Sequence, residues 1–419
     1  MTTISLNSLN SLKYSDISYK LTKTLSKDIK KNNGIFFTPP ETIQHNLNIL
    51  DEYISITNSI KNILEPSCGS CEFITALSTK YPESKITGIE YNKTIYDTIY
   101  DIYQNNDNIN ILNEDFTKYI TENKYDLIIG NPPYIVIKKQ QVLKEYNKYF
   151  DGRPNIFIIF IIKSLNMLNK NGILSFILPK NFLNCLYYNK TREYIYKNYT
   201  ILNIIECNDK YIETQQDTII LIIKNIKPSV QSKYVININK YTIFGTKENI
   251  KLINELVKDS ISLYSLNFKV SIGNIVWNQN KDILTDDITK TRLIYSSDIK
   301  NNELINIKYN NKEKKCYINK KGYTNPLLVI NRGYGVGNYN FEYCLINKDN
   351  QDMEYLIENH LICINYNNDI DLQDLILLYN KIIKSLEDQR TLQFINIFFG
   401  NNAINTTELY YILPIYLEK

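Results

Sequence analysis

The stretch YDLIIGNPPY (125–134) decides the reading of the fold. Its apolar run has the length of a strand, and it stops at a glycine, an asparagine and a double proline that cannot continue a ladder. Upstream, KNILEP (61–66), ITGIEYN (86–92) and NINILNEDF (108–116) follow a related pattern, a short apolar run closed by an acid. Downstream, GILSFILP (172–179) and DTIILIIKN (217–225) continue the series. The runs are apolar on both faces, as in strands covered by helices on either side. Their alternation with helix-like segments predicts an α/β fold with a doubly wound, mostly parallel sheet. IFIIFIIKSLNMLNKNG (156–172) reads as a buried helix stopped by Asn171-Gly172. Near Pro228 the pattern changes. Short strand candidates separated by Asn, Lys and Gly fill 230–345, and after 350 the reading turns helical, with DLQDLILLYNKIIKSLEDQ (371–389) spaced at the 3.6 period. The expected division is an N-terminal extension (1–33) that is polar and without a clear amphipathic period, an α/β domain (34–235), and a second, α+β domain (236–419).

The composition of the 419 residues, 43% hydrophobic and 22% charged, is that of a globular chain and excludes collagen, a disulfide miniprotein and a wholly disordered segment. A net charge of +4 permits nucleic acid as a partner without demanding it. Seven Cys, an odd number with the close pair Cys68 and Cys71, read as reduced thiols. That pair has no second pair beside it to complete a zinc site, so no metal is expected. The start MTTISLNSLNSLKYSD lacks a charged segment followed by an apolar core, and the apolar run 156–162 is too short to span a bilayer. The expectation is a cytoplasmic protein without a membrane segment.

The chemistry-bearing residues gather at the ends of the strand candidates, where ligands sit in a doubly wound sheet. In Asn131-Pro132-Pro133-Tyr134 the carboxamide oxygen and the Pro132 carbonyl can face one amino group, whose two hydrogens need two acceptors. Tyr134 adds a flat face for a planar base. ILEPSCGSCEF (63–73) ends a strand in Glu65 and turns into a helix, so that backbone N–H groups, with Glu65 and Ser67, can approach a ligand. Glu90 closes the next strand, where an acid accepts ribose hydroxyls. Asp115-Phe116 closes the third, an acceptor beside a ring.

Together these motifs resemble the S-adenosylmethionine-dependent DNA amino-methyltransferases, most closely the gamma-class adenine-N6 enzymes of the Taq type. GIFFTPPE (34–41) resembles the family's N-terminal motif, PSCGS the glycine loop, GIEYN the ribose acid, NEDF the adenine motif, and RPNIFIIFIIKSLNMLNKNGILSFILP (153–179) the helix and strand after the catalytic loop. The resemblance implies a Rossmann-like methyltransferase sheet, S-adenosylmethionine as cofactor, and a target-recognition role for the second domain. It implies that Thr38, Glu65, Ser67, Gly69, Glu90, Asp115, Phe116, Asn131, Pro133 and Phe160 line the cofactor site. Asn131, Pro132 and Tyr134 would hold a target adenine flipped out of double-stranded DNA, and Tyr211 would stack on it. The family usually has a further glycine where Cys71 stands, so a side chain there would either crowd the methionine moiety or be forced to positive φ. The chemistry needs no enzymic nucleophile, because the cofactor's sulfonium methyl is already activated.

For the second half the resemblance is thinner. VSIGNIVWNQNKD (270–282), with Trp277 and Asn278, and FFGNNAINTTELYYILPIY (398–416), with Asn401 and Asn402, resemble target-recognition segments, and amide side chains suit bidentate readout of adenine. Lys138 and Lys139 read as phosphate contacts or as a solvated loop. Residues 300–321 hold seven Lys and two Glu, a local +5 that suits either a DNA backbone or a charged hairpin edge; Lys312, Lys314 and Lys315 lie in it. LLVINRGYGVGNYN (327–340) offers Arg332 and Tyr334 to a groove, or is a hairpin turn. The reading is a site-specific adenine-N6 methyltransferase of restriction-modification type, monomeric on DNA. The alternatives are a release-factor glutamine methyltransferase, which shares the NPPY chemistry but usually has little chain after it, an RNA adenine methyltransferase, and a non-catalytic binding module.

Overall fold

The computed structural model describes residues 13–54, 60–207, 211–213, 216–307, 309–311, 313–332, 341–398 and 404–417. The chain divides into two units, one of residues 1–237 and 241–250, the other of residues 238–240 and 251–419.

The first unit opens with two short helices, α1 (Asp16–Thr24) and α2 (Lys27–Asn33), each capped by a serine whose hydroxyl accepts an N–H of the first turn. The described part of the stretch expected to be an extension is therefore largely helical. Next come α3 (Pro40–Leu50), β1 (Asn62–Glu65), α4 (Glu72–Lys80), β2 (Lys85–Ile89), α5 (Lys93–Tyr103), β3 (Ile109–Leu112) and β4 (Tyr125–Gly130). They are followed by α6 (Ile156–Met167), β5 (Leu168–Pro179), α7 (Asn189–Asn198), β6 (Thr200–Cys207) and β7 (Thr218–Lys224). A short hairpin, β8 (Val235–Ile238) and β9 (Tyr241–Phe244), precedes α8 (Lys247–Val257), within which the division between units falls.

Among the described residues the sheet has the order β3-β2-β1-β4-β5-β7-β6. The pairs from β3 to β5 are parallel, and β7 runs antiparallel to both β5 and β6. This is the α/β, doubly wound, mostly parallel sheet expected from the sequence. The order reverses between β1 and β4, the switch point beyond which ligands bind in such sheets. β7, TIILIIK, is buried on both faces because it is flanked by strands and covered on each side.

One boundary differs from the expectation. The helix 156–172 ends at Met167, and Leu168 already pairs with Tyr125. Asn171-Gly172 is not a helix stop. It forms a bulge between the pairs Tyr125–Leu168 and Leu127–Ile173, with Asn171 at φ 65°. A Cβ on Gly172 would stand 2.9 Å from the Tyr125 carbonyl oxygen, so the bulge needs glycine there.

The second unit is α+β. Its first sheet, β10-β19-β16-β17, contains β10 (Phe268–Ile272), β16 (Leu327–Asn331), β17 (Tyr343–Ile346) and β19 (Leu361–Tyr366), all antiparallel. The other contains β11 (Leu284–Thr285), β12 (Thr291–Ile294), β15 (Tyr317–Ile318) and β18 (Tyr355–Ile357) in the order β11-β15-β12-β18. A two-stranded ladder joins β13 (Ile299–Lys300) and β14 (Glu303–Leu304). The expected turn to helix after 350 is corrected, since β18 and β19 come first and β19 is an inner strand. The helices are α9 (Leu372–Glu387), α10 (Gln389–Phe398) and α11 (Thr406–Tyr411). Tyr379 of α9 donates to the Ile364 carbonyl at 2.8 Å and is buried.

Candidate cofactor and target-base site

β1 and β4 lie side by side at the switch point, so their C-terminal ends bring Glu65 and Asn131 to one place. After β1 the chain turns through Pro66–Ser70 into α4. Cys71 takes φ 63°, the left-handed conformation anticipated where the glycine is missing. Such a conformation costs a non-glycine residue roughly 1–2 kcal/mol. The thiol is fully buried and occupies core space beside Cys68.

Glu90 closes this turn. Its Oε2 accepts the Gly69 N–H at 2.9 Å and its Oε1 the Asn92 N–H at 2.6 Å. Burial pushes its carboxyl up to about 7, against the pull of those two bonds. Glu65 is 2% exposed, and burial, with Cys71, Glu90 and Glu72 nearby, holds its carboxyl well above the usual range. Among the described residues its Oε2 is buried with no hydrogen-bond partner. A buried, unpartnered carboxylate oxygen costs free energy until a cation or donor reaches it. A cavity of about 30 Å³ borders it, lined by Thr38, Glu65, Ser67, Gly69 and Asn131 of the expected residues, and also by Phe37, Ser70 and Glu72, which sequence reading missed. The acidic first position of α4 is the signal that could have pointed to Glu72.

The Asn131 carboxamide is the centre of the second cluster. Its Nδ2 donates to Thr38 Oγ1 at 3.1 Å and lies 3.5 Å from the Tyr211 hydroxyl. Its Oδ1 accepts from the Tyr134 hydroxyl at 2.7 Å, and the Ile177 carbonyl stands 3.0 Å from the same hydroxyl. Ser67 Oγ donates to the Asn131 carbonyl at 3.2 Å, joining the two clusters. Burial raises both tyrosine hydroxyls above their ordinary range, so they act as neutral donors. The Tyr134 ring packs edge-on against Phe157 at 5.9 Å. Pro133 lies against Gly34, whose φ is +61° and on which a Cβ would stand 3.0 Å from the proline Cβ.

Asp115, Phe116 and Phe160 form a neighbouring group. The two rings stand 4.8 Å apart, tilted by 48°, and the Lys163 ammonium lies 5.3 Å from the Phe116 ring centre. Asp115 Oδ1 accepts from the Thr117 N–H and hydroxyl, and Oδ2 stands 3.4 Å from Lys118. Its carboxylate thus caps the next turn.

Of the residues expected to meet DNA, Lys138 and Lys139 are exposed just after the Asn131–Tyr134 loop, and Asn278 is exposed in the second unit. Trp277 packs against the core around Ile275, Leu293 and Tyr295, and Lys281 lies over its ring. The Lys314 ammonium sits 4.0 Å from the ring centres of both Tyr295 and Tyr309, and Lys315 pairs with Asp286. Arg332 is half-buried at the end of β16. Lys312, Tyr334, Asn401 and Asn402 lie outside the described residues.

Residues 17–212 match the profile of the Eco57I restriction-modification methylase family. The type II methyltransferase M.CvrRI of Paramecium bursaria Chlorella virus XZ-6E is 27% identical over 400 residues, 94% of this chain and 96% of that protein. The modification methylase CviBIII of Paramecium bursaria Chlorella virus NC1A is 35% identical over 191 residues, 45% of this chain and 48% of its own. The type II methyltransferase M.AccI of Acinetobacter calcoaceticus is 30% identical over 190 residues, 44% and 34% of the two chains. The chain thus spans nearly all of the first relative and half or less of the other two. Over residues 17–212 the chain is similar to restriction-modification methylases, and its cofactor is S-adenosylmethionine. The acids Glu65 and Glu72 that border the cavity suit the chemistry of that cofactor, which carries a sulfonium and an ammonium, and Glu65 Oε2 is the acceptor left open for a cation or donor. No helix among the described residues is long and apolar enough to cross a membrane.

Proposed function

We propose that the chain is a DNA methyltransferase that modifies N6 of an adenine flipped out of the duplex at a specific sequence, as the modification activity of a restriction-modification system. The observation that carries this reading is the Asn131 carboxamide, anchored by Thr38 and held beside the cofactor cavity next to Tyr134 and Tyr211.

The roles follow from that geometry. S-Adenosylmethionine, when bound, supplies a methyl group already activated on sulfur. Glu65 faces its cationic end, and Glu90 accepts ribose hydroxyls, the role its place after β2 suggests. Asp115, Phe116 and Phe160 serve the adenine end. Thr38 accepts from Asn131 Nδ2, which fixes the amide flip and leaves Oδ1 as the acceptor. Oδ1 is engaged by the Tyr134 hydroxyl, so an incoming amino group takes over that acceptor as the tyrosine moves. With the Pro132 carbonyl as the other acceptor, the nitrogen is oriented and its lone pair kept available. The proton that leaves the methylated nitrogen passes to solvent, and the chain needs no strong base. Tyr134 and Tyr211 replace the stacking lost on flipping. Exposed Lys138 and Lys139 suit phosphate contacts, and the second unit, with Asn278 and Arg332, is the target-recognition domain in this reading.

The test is direct. Purified chain is incubated with plasmid DNA and labelled S-adenosylmethionine, and the DNA is digested to nucleosides. Label in N6-methyladenine is the expected result. Label in N4-methylcytosine, or transfer to a release factor or RNA in place of DNA, overturns the reading.

A further inference from the structure

The two N-terminal helices, read from the sequence as a polar extension without a clear amphipathic period, reach both the cofactor cavity and the segments that carry the target-base residues. On the cofactor side, the Ser15 N–H and hydroxyl and the Ser18 hydroxyl all donate to Glu72 Oε1, at 2.9, 2.7 and 2.5 Å. Ser18 Oγ also lies 2.7 Å from Ser70 Oγ, and Ser70 and Glu72 line the cofactor cavity. At the far end of the pair, Lys30 is 5% exposed. Its ammonium donates to Glu213 Oε1 at 2.5 Å and to the Thr22 carbonyl at 2.7 Å. A lysine so deeply buried is tolerated only when paired. Glu213 stands two residues beyond Tyr211, so this pair holds the segment that carries the Tyr211 ring. Gly34, which caps α2 with φ +61°, lies against the loop of Pro133 and Ile135, where a Cβ would approach within 3.0 and 2.9 Å.

We propose that α1 and α2 form a strut between the cofactor loop and the target-base residues, with Ser18 the positioning residue at the cofactor end and Lys30 the positioning residue for Tyr211. This rests on the adenine reading above. The two ends act on different ligands, and so their effects separate. Losing Lys30 frees the Tyr211 segment and leaves the glycine loop in place. Losing Ser18 removes the hydroxyl that joins Ser70 to Glu72, leaving Ser70 free of it and Glu72 on its Ser15 donors alone, and leaves Tyr211 held.

The experiment uses the full chain with Lys30→Met, Lys30→Arg, Glu213→Gln and Ser18→Ala. Affinity for S-adenosylhomocysteine is measured by calorimetry, and KM by methyl transfer to plasmid DNA. Lys30→Met keeps cofactor affinity within about twofold of wild type while the KM for DNA rises about tenfold or more, a modest share of what misplacement of a positioned group can cost. Lys30→Arg restores most of the loss. Ser18→Ala gives the opposite split, weaker cofactor binding with the KM for DNA little changed. If Lys30→Met does not fold, Glu213→Gln, at the more exposed partner, carries the same expectation. Equal losses in both quantities would show plain destabilisation and overturn the strut, as would no change in either. A wild-type chain that methylates another class of substrate with the same Lys30 and Ser18 split retains the strut and sinks the adenine reading.

Discussion

Glu65 and Glu90 are buried acids in a site whose ligand is a cation, and their titration follows from that. Glu90 is pushed up to about 7 from an ordinary 4.5. A raised carboxyl favours the protonated folded state, so its contribution to stability is fully present below about 4.5 and is lost as pH rises through about 7. A ligand whose hydroxyls donate to the carboxylate favours the ionised form. Cofactor affinity therefore increases as pH climbs through about 7, and calorimetry across that range checks it. Glu90→Gln flattens the dependence and weakens binding by roughly 1.5–3 kcal/mol, the usual worth of a hydrogen bond to a charged group. At Asn131 the expectation is different. Asn131→Ala lowers the transfer rate by about 10²–10³-fold or more, as when a preorganised hydrogen-bonding group is removed, and leaves cofactor affinity largely intact. A rate within about tenfold of wild type in a single-turnover assay contradicts the assignment. Both acids and the asparagine were legible in the sequence, because each ends an apolar run. At Cys71 the sequence left crowding of the cofactor or positive φ open, and the backbone takes the second. Ser18 and Lys30 were not legible, since a serine or lysine in a polar stretch shows its role only through the partner it meets, and those partners lie 54 and 183 residues away.

At the scale of the element, the strands were legible because burial on both faces leaves a continuous apolar run. Short helices such as α1 and α2 were not, since their packing relies on a few residues, Leu21 among them, and not on a full stripe. The misplaced end of α6 has a local cause. Asn-Gly satisfies the pattern of a helix stop and equally that of a bulge with positive φ, and only the pairing of β4 with β5 decides between them. Gly34 is where an element meets the chemistry. Gly34→Ala places a side chain at φ +61°, within 3.2 Å of the Tyr134 backbone nitrogen. Stability falls by roughly 1–2 kcal/mol from the backbone alone. The catalytic loop must also shift, so the transfer rate falls further than the melting temperature suggests. Thermal unfolding beside single-turnover kinetics measures the two separately, and an unchanged rate would show that the loop yields without consequence.

At the scale of the whole molecule, the sequence made the first unit readable and left the second as a series of short strands. The reason is physical. A parallel sheet covered on both faces writes itself as long apolar runs, whereas strands such as β11 to β15 are two to four residues long and mix exposed with buried positions. The basic cluster shows the same limit, because charge counted along the chain does not reveal that Lys314 lies between two tyrosine rings and Lys315 beside Asp286. Lys314→Glu should accordingly destabilise the second unit. Charge reversal at Lys138 and Lys139 should instead lower the slope of log affinity against log salt by about 0.9 for each phosphate that the protein no longer neutralises, with the preferred sequence unchanged. A slope equal to wild type in filter binding would leave these lysines in a solvated loop. The central claim is tested most directly by mapping modified bases, at single-nucleotide resolution, in DNA from cells that express the chain or its Asn131→Ala variant. The account predicts N6-methyladenine at one short sequence in the first and none in the second. Methylated cytosine, no modification, or the same adenine mark with Asn131→Ala would contradict it.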